Sequence, residues 1–194
     1  MKKRGRPKKV VTEQVHIPVQ IDFNQIVKLK DIHVDERMFG QMKSGLVLDE
    51  LISHEGGVPN ATNLMLFGDP GSGKTTLLLD LLASIQLKNP TRKCLFISGE
   101  MGKKQMFKYT QRFPQFGCVE TLFVSDFTDH NTKDVIEQSL NLGWDLVLID
   151  SIAEVLDGVR NDNGWDRKVA ESWLVDECVK NNKGENEANK FSTF

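Results

Sequence analysis

The residues from Gly68 to Thr75, Gly-Asp-Pro-Gly-Ser-Gly-Lys-Thr, have the types and spacing that point most directly to chemistry. They match GxxxxGK followed by Ser or Thr at every fixed position. Glycines let the backbone turn tightly and aim its N–H groups at a phosphate, and a helix that begins near Lys74 adds the positive end of its dipole. The sequence therefore predicts a site for ATP with Mg²⁺ on nine residues: Gly68, Asp69, Pro70, Gly71, Ser72, Gly73, Lys74, Thr75 and Thr76.

Three side chains of this loop have distinct predicted roles. Lys74 is a point charge for the β- and γ-phosphates, the Thr75 hydroxyl is a ligand of Mg²⁺, and Thr76 contacts the α-phosphate. A chance glycine loop before a helix is the alternative. The apolar run Leu64 to Phe67 just before the loop predicts a strand. A strand-to-helix setting favours the phosphate site.

Two carboxylates follow other apolar runs and are candidates for the same site. Asp150 ends Leu146 to Ile149, and Glu100 follows Cys94 to Ser98. Because the carboxyl ends of parallel strands share one edge, where ligands bind, we expect Asp150 near Thr75, holding Mg²⁺. A carboxylate at Glu100 could orient and deprotonate an attacking water. Its position alone suits a solvated loop residue equally well.

The elements that must position these residues follow a regular alternation. Short apolar runs without polar alternation predict strands that are buried on both faces, and helices between them imply a parallel sheet. The fold class is therefore α/β, with a mainly parallel sheet sandwiched by helices. The predicted strands are Leu64 to Phe67, Cys94 to Ser98, Thr121 to Ser125 and Leu146 to Ile149, with Val15 to Phe23 as an edge strand. The predicted helices are Ser44 to Ile52, Lys74 to Leu87, Lys103 to Phe113, Thr132 to Leu142 and Trp165 to Val179.

Four sequence blocks within residues 44–156 together resemble a known family. They are SGLVLDELI with the following GGVPN, LMLFGDPGSGKTTLLLDLL, CLFISGEM and LVLIDSIAEV. They resemble the RecA-like P-loop ATPase core, and most of all RadA-type DNA repair ATPases. The resemblance implies that Glu100 is the catalytic glutamate, acting with Lys74, and that Asp150 is the Mg²⁺-associated aspartate. It also implies a homo-oligomer when the core is complete.

The sequence departs from the RadA type outside this core. A RadA-type protein has a Cys-rich zinc ribbon before the core and a Lon-protease-like domain after it. Here Cys94, Cys118 and Cys178 lie far apart and form no CxxC pair, so no zinc site is expected. Replicative helicases of the DnaB type and phage recombinases share the same core. The resemblance therefore supports the core chemistry and leaves the specific repair role open.

The N-terminus is a basic arm. Residues 1–9 hold six Lys or Arg and no acid, whereas the rest of the chain carries 19 basic and 27 acidic residues. Arg4-Gly5-Arg6-Pro7 with flanking lysines looks like an AT-hook, whose extended arginines suit a narrow minor groove. The alternative is a solubilising or localisation tail. We expect a disordered arm over residues 1–14 that contacts DNA, and an ATPase core over residues 15–194.

Composition limits where the protein acts. No apolar run reaches the roughly 18 residues of a membrane helix, so no membrane association is expected. The basic arm has no apolar segment after it and is not a secretory signal. These features favour the cytoplasm of a bacterial or phage-infected cell. A basic arm joined to a core without the flanking RadA-type domains would suit a bacteriophage protein.

The preferred function is DNA-associated, Mg²⁺-dependent ATP hydrolysis in recombination, repair or replication. A DnaB-type helicase motor or loader is one alternative, and a DNA-binding adaptor that uses ATP as a switch is another. The segment Asp157 to Gly164 lies where RecA-like proteins place a DNA-contacting loop, but it predicts a plain surface loop. Phe191 to Phe194 begins like a central strand. We therefore expect a C-terminally incomplete core with slow hydrolysis that DNA stimulates little, the remaining strands being encoded downstream or supplied by a partner.

Overall fold

A computed structural model of the chain describes Asp22 and residues 26–33, 35–180 and 189–194. The chain divides into two compact units, Met1–Val34 and Asp35–Phe194. The described residues of the first unit include a 3-10 turn over Leu29–Asp31. The basic arm and, except for Asp22, the predicted edge strand Val15 to Phe23 lie outside the described residues. Within the part that is described, no helix is both long and apolar enough to cross a membrane.

The second unit alternates helices with short strands. Its strands are β1 (Gln41–Met42), β2 (Val58–Pro59), β3 (Cys94–Ser98), β4 (Glu120–Phe123) and β5 (Leu146–Asp150). Its helices are α1 (Leu48–Ile52), α2 (Lys74–Lys88), α3 (Lys103–Arg112), α4 (Thr132–Leu140), α5 (Ile152–Asn163) and α6 (Arg167–Leu174). Shorter helical turns cover Glu36–Phe39, Pro114–Cys118, Val124–Phe127 and Val175–Val179.

The central sheet is parallel, in the order β4-β3-β5. Phe96 of β3 lies opposite Thr121 of β4 on one side and Leu148 of β5 on the other. All five residues of β3 are buried, as expected for a strand with neighbours on both sides and helices on both faces. In contrast, no residue of β4 is fully buried, because β4 lies at the edge of the sheet. The predicted parallel α/β fold is confirmed, but burial on both faces is wrong for β4.

Helices cover both faces of this sheet. Alternate residues of a strand point to opposite faces, so Phe96 packs with α2 residues such as Leu82 in one cluster. Its neighbour Ile97 packs with Ile136 of α4 and Val155 of α5 in a second cluster. Two apolar layers therefore hold the sheet in place and keep the carboxyl ends of β3 and β5 side by side.

The last residues of the chain extend the sheet on the far side of β5. Thr193 forms a parallel bridge with Leu146, and its backbone donates to Asp145 O and accepts from Val147 N, both at 2.9 Å. On its other side, Phe194 N donates to Thr62 O at 3.0 Å and Phe194 O accepts from Leu64 N at 2.7 Å. Residues 191–194 therefore lie between β5 and the segment that leads into the phosphate loop.

The predicted strand Leu64 to Phe67 is not formed as such. Its four side chains are 43–81% exposed, and the segment is extended without regular strand pairing. Among the described residues, its backbone hydrogen bonds to a neighbouring segment stop at Leu64. An apolar run needs a neighbour along its whole length to become a buried strand. The structure therefore overturns the expectation of burial for this run.

The segment Asp157 to Gly164, expected as a surface loop, is helical. It belongs to α5, which Ser151 caps at its start and Gly164, at a φ of 63°, ends. Asp162 accepts hydrogen bonds from the backbone N and the hydroxyl of Thr132, at 2.7 and 2.6 Å. This contact lowers the pKa of the Asp162 carboxyl. The C-terminal part of α5 therefore holds the first turn of α4. The Asn- and Gly-rich sequence of this part of α5 does not predict that tertiary contact.

The predicted helix Ser44 to Ile52 is shorter than expected, because residues 44–47 form a turn around Asp49. That carboxylate accepts hydrogen bonds from the backbone N and hydroxyl of Ser44, at 3.1 and 2.6 Å, and from Gly45 N at 2.7 Å. Burial by itself would raise the pKa of Asp49, but these hydrogen bonds outweigh it and lower the pKa. Residues 44–47, which begin the first sequence block that resembles the family, therefore form a turn that leads into α1.

Candidate nucleotide-binding site

The phosphate loop is an exposed turn that leads into α2. All six residues from Gly68 to Gly73 are exposed. Gly71 and Gly73 have φ angles of 77° and 92°, a left-handed conformation that residues with a Cβ rarely adopt. Gly73 is the N-cap of α2, so the first backbone N–H groups of a 15-residue helix point into the turn. This arrangement has the open amides and dipole that bind an anion.

Lys74 lies over this loop. Its ammonium donates to Gly68 O and Asp69 O, each at 2.9 Å. The lysine is the first residue of α2, and its side chain runs back along the turn instead of out to solvent. The structure thus holds one full positive charge at the loop predicted to receive phosphates.

Thr75 and Asp150 are in contact although 75 positions separate them. The Thr75 hydroxyl donates to Asp150 Oδ2, and Asp150 is buried at the carboxyl end of β5. A hydroxyl and a carboxylate are hard oxygen ligands of the kind that Mg²⁺ takes. Among the described residues, no group of three or more His, Cys, Asp or Glu could hold a metal ion. A Mg²⁺ at this pair would therefore take its other ligands from phosphates and water.

Glu100 lies at the same edge of the sheet. The register of β3 and β5 places Ser98 opposite Asp150. Past that point Gly99 N donates to Asp150 O at 2.9 Å, and Glu100 N makes a longer contact of 3.4 Å to the same oxygen. The Glu100 side chain is exposed. The backbone therefore holds Glu100 beside Asp150 with its carboxylate open to solvent, and its role as base stays a prediction.

Gly99 is a positioning residue that pattern reasoning from the motif missed. A Cβ at Gly99 would lie 3.1 Å from Val155 Cγ2, 3.2 Å from Ser151 O and 3.4 Å from Glu154 Cβ. The start of α5 thus packs directly against the backbone that carries Glu100. One signal for it is visible in the sequence, a glycine between the end of an apolar strand and a candidate catalytic carboxylate.

We expect Gly99→Ala to lower ATP turnover by about tenfold and to destabilise the fold by about 1–3 kcal/mol, because the new methyl group pushes the Glu100 turn away from α5. Gly117→Ala is the matched control, since a Cβ there meets nothing within 4 Å. Turnover and thermal unfolding of both variants check this. Equal turnover in the two variants would show that the Gly99 contact does not position Glu100.

The predicted DNA-contacting residues Arg4, Gly5, Arg6 and Pro7 lie outside the described residues, so the structure does not place them relative to this site. Of the other predicted residues, it brings Thr75 to Asp150 and Lys74 to the loop backbone. Thr76 follows in the first turn of α2.

Comparison with known proteins identifies the family. Residues 48–176 match the AAA domain family AAA_25. The DNA repair protein RadA of Listeria monocytogenes is 38% identical over 100 residues, which are 52% of this chain and 21% of that protein. The protein RecA of Rickettsia canadensis is 33% identical over 110 residues, or 52% of this chain and 28% of that protein. The chain thus spans only 21% and 28% of the length of these two curated relatives.

Among solved structures, the flagellar accessory protein FlaH of Methanocaldococcus jannaschii aligns with 69% of this chain and 67% of its own, at 13% identity and a TM-score of 0.46. The family match covers α1 to α6 and contains the phosphate loop, Glu100 and Asp150. The chain belongs to the AAA domain family AAA_25.

Proposed function

We propose that the chain binds ATP with Mg²⁺ at Gly68 to Thr76 and hydrolyses it in association with DNA, in recombination, repair or replication. The contact of Thr75 with the buried Asp150, directly behind the loop that carries Lys74, is the observation that supports it most. The RadA relatives are named DNA repair proteins, which favours this setting.

Each residue of the site has a role that follows from its chemistry. Lys74 binds the β- and γ-phosphates, and the loop amides bind the β-phosphate. Thr75 would hold Mg²⁺ directly and Asp150 would hold it through water, and the ion would neutralise charge on the phosphates. Glu100 orients the attacking water and accepts its proton. Hydrolysis then needs no covalent intermediate on the protein.

The pair Thr75→Val and Thr75→Ser tests the proposal. Valine has the same shape but lacks the hydroxyl, so we expect Mg²⁺-dependent ATP affinity to fall by about tenfold or more, since the buried Asp150 also loses its donor. Serine keeps the hydroxyl and is expected to bind within about twofold of the parent. The measurement is titration of a fluorescent ATP analogue with Mg²⁺ and with a chelator. Equal Mg²⁺ dependence in both variants would contradict the proposed site.

Two assays separate the alternatives. An ATP-switched adaptor binds ATP and DNA but shows almost no steady-state turnover, with or without DNA. A helicase motor separates the strands of a labelled duplex in an ATP-dependent way, whereas a repair or recombination ATPase without motor activity does not. We propose the ATPase over the ATP-switched adaptor because Glu100, held beside Asp150, supplies a base for hydrolysis. A helicase motor would need the same base, so the strand-separation assay decides between the other two.

We also propose that the chain consists of a DNA-binding arm over residues 1–14 and an ATPase core over residues 15–194, that it acts in the cytoplasm of a bacterial or phage-infected cell, and that it forms a homo-oligomer. The motif Arg4-Gly5-Arg6-Pro7 is expected to contact the minor groove. If a chain without residues 1–9 binds an A·T-rich duplex as tightly as the full chain, the arm is only a tail.

A further inference from the structure

The exposed face of α3 carries a row of positive charges. Lys104, Lys108 and Arg112 are spaced by four positions, so they lie along one side of the helix, and all three are exposed. From residue 101 to 119 the chain has four basic residues and no Asp or Glu, in a protein with 27 acidic residues. Like charges at this spacing repel each other and weaken an isolated helix. The row, which we call the α3 stripe, therefore does not serve the stability of the helix.

In the part of the chain that the structure describes, no carboxylate pairs with the α3 stripe. Lys103, at the start of the helix, pairs with Asp126 at 2.7 Å. Within the described ranges, no salt bridge involves Lys104, Lys108 or Arg112. The Arg112 guanidinium lies 5.1 Å from the ring centroid of the neighbouring Phe113, an aromatic contact that leaves its charge in place. The stripe thus offers three positive charges to an external anion.

An aromatic ring lies next to this stripe. Phe107 is 63% exposed, three residues after Lys104 and one before Lys108. The helix is anchored through its other side, where Met106 is buried in the core. Phe107 is therefore not needed to attach α3, and its ring is open to a stacking partner. Exposed aromatic rings beside positive charges are the combination with which proteins bind unpaired nucleotides.

We propose that this face of α3 binds single-stranded nucleic acid, with the phosphates on Lys104, Lys108 and Arg112 and a base stacked on Phe107. A duplex would satisfy the charges but has no free base face for the ring, and an acidic protein would satisfy the charges without a use for stacking. Because α3 begins three residues after Glu100, the proposed binding face lies close in the sequence to the proposed base. The choice of nucleic acid rests on the proposed association with DNA but not on ATP hydrolysis.

The test is binding of the full-length chain, without nucleotide, to a fluorescent oligothymidylate of about 16 nucleotides. The triple variant Lys104→Ala, Lys108→Ala, Arg112→Ala is expected to bind about tenfold or more weakly, and its slope of log affinity against log salt to fall by about two. The matched control, Lys43→Ala, Lys93→Ala, Lys168→Ala, removes the same charge from exposed positions elsewhere. It is expected to bind within about threefold of the parent.

A second variant isolates the ring. Phe107→Ala is expected to weaken oligothymidylate binding by about tenfold at an unchanged salt slope, whereas Phe39→Ala, another exposed phenylalanine, is expected to have little effect. Equal binding by the α3 triple variant and its control would overturn the proposal. The proposal would also be overturned if the α3 triple variant lost affinity for duplex and for single-stranded oligonucleotide to the same extent. Loss of poly-glutamate binding with unchanged oligothymidylate binding would assign the stripe to an acidic protein. A chain that binds the oligonucleotide in this way but never hydrolyses ATP would contradict the proposed function alone.

Discussion

Lys74→Ala is expected to weaken ATP binding by about tenfold or more and to abolish measurable turnover. The lysine is the charge nearest the predicted phosphates, since its ammonium contacts the carbonyl oxygens of Gly68 and Asp69 within the loop. Without it, the two phosphates of highest charge lose their direct cation, and the transition state loses more than the ground state because negative charge grows there. ATP titration and steady-state phosphate release measure the two effects.

Lys93→Ala is the matched control for this variant. Lys93 is exposed and directly precedes β3, so it lies at the amino end of the sheet, opposite the site. Lys93→Ala changes the net charge by the same amount as Lys74→Ala, but it is expected to leave ATP binding and turnover within about twofold of the parent. If Lys74→Ala retains the ATP affinity and turnover of the Lys93 variant, the phosphate site is not where we place it.

Glu100→Gln is expected to slow ATP hydrolysis by about 10²-fold or more while ATP binding stays unchanged. Glutamine keeps the shape and the hydrogen-bonding capacity of the side chain but cannot accept the proton of the attacking water. The side chain is exposed, and its backbone N is held at Asp150 O, so the substitution leaves packing intact. Single-turnover hydrolysis separates the chemical step from product release.

Glu120→Gln controls for the loss of one carboxylate. Glu120 is the exposed first residue of β4, at the amino end of the sheet. The Glu120→Gln variant is therefore expected to hydrolyse ATP at the parent rate. Should Glu100→Gln turn over within a few-fold of the parent, Glu100 is an ordinary loop residue and another group activates the water. Reduced ATP binding together with reduced turnover would instead give Glu100 a structural role at the strand end.

Local chemistry explains why so much of the candidate site was predictable. The phosphate loop is a contiguous pattern, and its two left-handed glycines and following helix are consequences of eight neighbouring residues. Asp150 and Glu100 needed one further step, the rule that parallel strands end at a common edge. The pairing of β3 with β5 fulfils that rule, because it places Ser98, two residues before Glu100, opposite Asp150. Asp150 also contacts Thr75 at the start of α2.

Two of the errors along the chain have a common physical origin. Leu64 to Phe67 is apolar enough for a buried strand, but burial depends on a neighbour, and its pairing stops at Leu64. Asp157 to Gly164 is polar and rich in turn formers, yet it forms the end of a helix because Asp162 binds the start of α4. Tertiary contacts override local propensity in both segments.

By itself the sequence determined the α/β class, the parallel direction of its strands and the candidate residues of the phosphate loop, because periodicity and motif spacing are local properties. Only the tertiary structure decided that residues 191–194 lie between β5 and the segment before the phosphate loop, and that Gly99 packs against the start of α5. It also decided that the α3 stripe is exposed and has no carboxylate partner among the described residues. These outcomes depend on which distant segments come into contact. The free energy of such contacts comes from burial and hydrogen bonding between residues that local sequence patterns do not pair.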